Sequence, residues 1–247
     1  MHFAQLLDKS STQRRFDWQD WAMRAGLTRF ADDRGFVARC LCAAAEGPDA
    51  VLVRGLRAVL ASLPNASEPM VFDALARADF VLGDLDRGAD RLTALARSFP
   101  KYNQSKVRTF QLQAMLDRGL LSAALDLARL LGVNETTQSV RIETFLRNHA
   151  YQDIVSAVDQ IGGLDQTKDP DLAAAYLSAQ EALGNLEQAM SQSLSFLDRC
   201  PQSHQVAHLL RFLAIRLDRL TEARPVLERA ALSLAGKTEG YALLALL

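Results

Sequence analysis

The 247-residue chain carries 28 Lys and Arg against 29 Asp and Glu, a net charge of -1, with 49% hydrophobic and 23% charged residues. That balance excludes intrinsic disorder and gives no general attraction to nucleic-acid phosphate. No apolar run reaches the roughly 18 residues that a bilayer span requires, and Met1 to Arg15 lacks a signal-peptide core. Three cysteines, Cys40, Cys42 and Cys200, cannot all pair, and free thiols suit a reducing, cytoplasmic compartment.

Residues 1–32 read as capping helices. Asp17 has the side chain of a helix cap, and the helix after it carries Trp18, Trp21, Ala22, Ala25 and Phe30. The two tryptophans either seal the end of a stack or anchor a partner. A first helix-turn-helix unit is predicted over 33–67, with Leu52, Leu56 and Val59 on the inner side of its second helix. The next, 69–102, has Phe72, Leu75 and Ala76, then Leu85, Leu92 and Leu95, with Pro69 in a first turn where its missing N–H is no loss. The third, 103–134, has Val107, Phe110 and Ala114, then Leu121, Ala124, Leu125 and Ala128. The fourth, 135–168, is irregular: His149-Ala150 stands where a turn glycine is expected, Ile154, Val158 and Ile161 form the apolar side, and 162–169 is predicted to be a flexible polar loop.

The fifth unit, 170–203, is the most regular. Leu172, Ala175, Tyr176, Ala179 and Leu183 recur at the three-and-four spacing of one helix face, and Gly184-Asn185 then ends the helix. Leu186, Ala189, Met190, Leu194 and Leu197 form a second face, and Pro201 closes the unit. A sixth unit covers 204–237. Residues 238–247 read as the first helix of an incomplete seventh, apolar almost all round, so the sequence predicts either that the native chain continues past Leu247 or that this end self-associates.

The punctuation recurs at 34 residues from Gly184 to Asp218, and at 36 from Gly47 to Gly83 and from Gly83 to Gly119. With Gly184, Leu186, Ala189 and Pro201 at the corresponding positions, the chain resembles a tetratricopeptide-type repeat protein, whose period is roughly 34. Tyr176-Leu177 and Leu210-Arg211 depart from that family's large-then-small pair, which predicts a looser or differently angled helix contact. The resemblance implies an all-α fold, a right-handed α-α superhelix or solenoid of about six repeats.

Motifs for chemistry are incomplete. Gly236-Lys237-Thr238 resembles the end of a phosphate-binding loop, but Ala231 replaces the upstream glycine. Cys200, His204 and His208 are four apart, yet Pro201 follows the cysteine and no fourth ligand is evident; Cys40 and Cys42, two apart, point to different sides of a helix. No catalytic residue, cofactor or metal is predicted. The resemblance implies instead a concave groove of first helices that binds a protein or peptide. Counting back from each turn, its lining is Asp73, Arg77 and Phe80; Lys106, Thr109 and Gln113; Ser139 and Glu143; Ser178 and Glu181; and His208, Phe212 and Arg216. Replacing Arg77 and Phe212 together is then expected to weaken binding without unfolding the chain. The functional expectation is a non-catalytic, cytoplasmic scaffold, bacterial by its Ala-, Leu- and Arg-heavy usage. The alternative is the helical arm of a longer bacterial enzyme, glycosyltransferase- or sulfotransferase-like, whose catalytic domain lies outside this chain.

Overall fold

A computed structural model describes residues 16–64, 68–131 and 135–234. The segments 1–15 and 235–247 and the side chains of Asp17, Trp18 and Trp21 lie outside the described residues. With them lie the expectations for the start of the cap, for the tryptophans, for Gly236-Lys237-Thr238 and for a seventh repeat.

The described residues form thirteen helices and no strand. They are α1 Phe16–Phe30, α2 Arg34–Ala45, α3 Ala50–Ser62, α4 Pro69–Val81, α5 Leu85–Ser98, α6 Ser105–Asp117, α7 Leu121–Leu130, α8 Glu135–Arg147, α9 Tyr151–Asp159, α10 Pro170–Ala182, α11 Leu186–Arg199, α12 His204–Arg216 and α13 Leu220–Ser233. The chain divides into two compact units, 1–120 and 121–247. Within the first, sequential helices pack in turn, α2 also meets α4, and α4 meets α6. Within the second, α8 meets α10, α10 meets α12, and α11 meets α13. First helix beside first helix is the packing of a helical repeat, in which each hairpin buries its apolar side against the next.

One turn recurs. The first helices α4, α6, α8, α10 and α12 are each 13 residues long. Each is followed, one residue beyond its C-cap, by a left-handed residue: Gly83 (φ 81°), Gly119 (70°), His149 (54°), Gly184 (84°) and Asp218 (53°). That residue's N–H donates to the carbonyl three back, and the following N–H to the carbonyl five back. For Gly184 and Asn185 these are Glu181 and Gln180, both at 2.9 Å; for Asp218 and Arg219 they are Ile215 at 3.2 Å and Ala214 at 2.8 Å. Carbonyls orphaned at the helix end are satisfied, and the chain reverses at a fixed angle. His149-Ala150 is a turn of this same kind, with His149 in the position that glycine fills elsewhere and its Nδ1 3.0 Å from the Tyr151 hydroxyl.

The buried face of α3 is Val53, Leu56 and Leu60, whereas Leu52 is half-buried and Val59 is 40% exposed. The sequence reading was right at Leu56 and wrong at Val59, because three successive apolar residues at 51–53 fit two helical registers equally well. Residues 162–169, expected to be flexible, are tied down. Leu164 and Thr167 are buried, and the Arg199 guanidinium donates to the Leu164 and Asp165 carbonyls at 3.2 and 2.7 Å.

Because a Cβ at Gly184 would meet nothing within 4 Å, Gly184→Ala isolates the conformational cost of the left-handed turn. It is expected to lower stability by about 1 kcal/mol, and Asp218→Gly to raise it by a few tenths to about 1 kcal/mol. Urea denaturation of the two variants beside the parent checks both signs.

Candidate functional site

In the first unit the facing sides of α2, α4 and α6 bring together Cys42, Glu46, Asp73, Arg77, Lys106 and Phe110. Asp73 and Arg77, one helical turn apart, are only 2% and 6% exposed. Arg77 Nε and Nη2 donate to the two Asp73 carboxylate oxygens at 2.5 and 2.9 Å, and the Tyr102 hydroxyl donates to Asp73 Oδ2 at 2.7 Å. The guanidinium also lies 5.5 Å from the centre of the Phe110 ring and 3.7 Å from Glu46 Oε1, which Lys106 Nζ approaches at 3.9 Å. Removing two charges from water is costly, and here the cost is offset by a bidentate pair whose remaining lone pair takes a phenol. Burial, then the hydrogen bond to the Asp73 carboxylate, holds the Tyr102 phenol above its ordinary range. This part of the face is a closed, satisfied network.

Further along α4, Asp79 is fully buried between two arginines of the second helices, with Arg57 Nη2 and Arg91 Nε each 2.6 Å from its carboxylate. Phe80 beside it points inward as well. Its ring covers Gly88, where a Cβ would come within 2.5 Å of it, and it belongs to a core with Leu92, Leu95 and Val107. Phe80 therefore presents no surface to a partner, and Arg77 is a buried structural group. Counting back from the turn finds the right helix, but α4 has buried neighbours on both sides and the count alone cannot show that.

Lys106 is exposed, and Gln113 is half-buried, donating to Asp117 at 2.9 Å. In the second unit the corresponding face is open. Glu143 pairs with Arg147 at 2.6 Å, Arg216 bonds Glu181 across from α12 to α10, and His208 is exposed. Phe212 is 48% exposed with the Arg216 guanidinium over its ring at 5.4 Å, and Ile215, one turn on, is 49% exposed. Between α8 and α10 runs an open cleft of about 460 Å³, lined by Ser139 and Glu143 together with Ile142, Leu146, Asp171 and Leu172. Ile142, Leu146 and Asp171 were not singled out from the sequence, and Leu172 was read only as part of the apolar face of its helix; their positions three or four residues from Ser139, Glu143 and Ala175 were the available signal.

Among the described residues no group of three or more His, Cys, Asp or Glu is placed to hold a metal, and no helix is long and apolar enough to cross a membrane. Cys200 is buried while His204 and His208 are exposed, so the three do not converge. Asp33, Asp49, Asp84 and Asp169 cap α2, α3, α5 and α10 through their side chains. Comparison of the sequence with protein-family models and with curated proteins finds no match.

Asp73→Ala strands the Arg77 guanidinium and is expected to cost about 3–5 kcal/mol, while Tyr102→Phe removes one hydrogen bond and should cost about 1 kcal/mol or somewhat more. Denaturant unfolding distinguishes them. Cys40 and Cys42 supply a pH test. Burial pushes both thiols from 9.0 up to about 12. A folded-state pKa above the unfolded value gives stability that is complete below pH 9 and is lost as pH rises toward 12. The melting temperature is therefore expected to fall through that window, and at pH 8 both thiols should react with Ellman's reagent only slowly until the chain is unfolded.

Proposed function

We propose that this chain is a tetratricopeptide-like, non-catalytic scaffold of the bacterial cytoplasm that binds a protein or peptide along the first-helix face of its second unit. The observation that carries the reading is the pairing of an open cleft between α8 and α10 with two large apolar side chains, Phe212 and Ile215, left half-exposed on the same series of first helices. Exposed aromatic and aliphatic groups beside arginine are the composition of binding anchors, and a rigid helical face presents them without much ordering on association. Supporting the compartment are three free cysteines, two of them buried.

Affinity capture from a bacterial lysate, with the intact chain and with Phe212→Ser/Ile215→Ser as baits, tests the reading. Both positions are half-exposed, so the variant should melt within a degree or two of the parent. The expected result is a specific partner retained by the parent and depleted by the variant. Equal recovery by both baits would remove Phe212 and Ile215 from the binding surface, and substrate turnover by the purified chain would contradict the scaffold outright.

A further inference from the structure

We infer that the occupant of the α8/α10 cleft is an extended peptide segment in which aliphatic side chains are flanked by lysine or arginine; this rests on the scaffold reading above. The apolar part of the cleft is Ile142, Leu146, Leu172 and Ala175, enough to receive one or two aliphatic side chains in a volume of about 460 Å³. Its polar rim is Glu143, Asp169 and Asp171, and none of the nine lining residues is cationic.

The charge around these acids is unevenly matched. Glu143 pairs with Arg147 at 2.6 Å. Asp171 takes only the neutral Gln205 amide at 2.6 Å, and Asp169 takes only the backbone N–H groups of Asp171 and Leu172 at the start of α10. Two of three carboxylates thus have no cationic partner among the described residues, so a ligand cation gains attraction there and a ligand carboxylate is repelled.

The test is fluorescence anisotropy on the intact chain at low salt. The probe is a fluorescein-labelled peptide with a pair of leucines flanked by lysines; the comparison peptide has glutamates in place of the lysines. The lysine peptide is expected to bind and to weaken as salt rises. It should lose about tenfold in affinity on Glu143→Gln/Asp171→Asn, two exposed charge interactions removed together. A separate loss is expected with Leu146→Ser, each variant being used only if its melting temperature matches the parent. Equal binding of the two peptides would overturn the charge preference. Binding unchanged by both variants would overturn the location, and no binding of either peptide would overturn the proposal. A partner captured through Phe212 and Ile215 without peptide binding at the cleft would sink this inference alone. Peptide binding that resists loss of the cleft groups, with nothing captured, would sink the scaffold reading with it.

Discussion

The first helices α4, α6, α8, α10 and α12 are each ended by a residue in the left-handed conformation, and the placement of their hairpins follows from that one constraint. The paired hydrogen bonds at this turn fix where the second helix begins, and so fix which side of the first helix is buried by its own hairpin and which side is left for its neighbours. Four of the five such turns carry Gly or Asp, residues that tolerate positive φ; the fifth carries His149, where the Tyr151 hydroxyl 3.0 Å from the ring supplies a local partner. With five first helices of equal length, equivalent positions recur at the same place on each, which is what allows a single face to be spoken of within each unit.

Within that frame the two units use their first-helix faces differently. In the unit of residues 1–120, α4 has packed neighbours on several sides, and its polar groups are consumed internally: Asp73 by Arg77 and Tyr102, Asp79 by Arg57 and Arg91. Buried charges of this kind add little net stability, but each depends strongly on its partner remaining in place. In the unit of residues 121–247 the corresponding side chains are exposed or paired at the surface, where ion pairs such as Glu143–Arg147 contribute little and can exchange for a ligand's charges. The open face is therefore the one with chemistry to offer.

The helices and their turns were legible in the sequence because two strong local signals coincide, apolar residues at three-and-four spacing and a glycine at the end. Where one signal was missing the reading still held if the other was strong, as at His149 and Asp218. It failed at α3, where adjacent apolar residues allowed two registers, and at 162–169, where the restraint comes from Arg199, distant in sequence. The groove residues were harder. Asp73 and Arg77 are spaced to pair with each other along one helix, and only the packing of α2 and α6 beside α4 shows that they are enclosed rather than displayed. The cleft of α8 and α10 needed two helices at once, and no single-helix pattern could disclose it.

The claim that the first-helix face is the one that meets a partner is tested most directly by photo-crosslinking. A benzophenone amino acid would be placed at Ser139 or Ser178 on first helices, and at Ser156 or Gln188 on second helices, and the chain irradiated in a bacterial lysate. The repeat architecture predicts discrete adducts from positions 139 and 178 and none from 156 and 188. Adducts arising chiefly from the second-helix positions would contradict it.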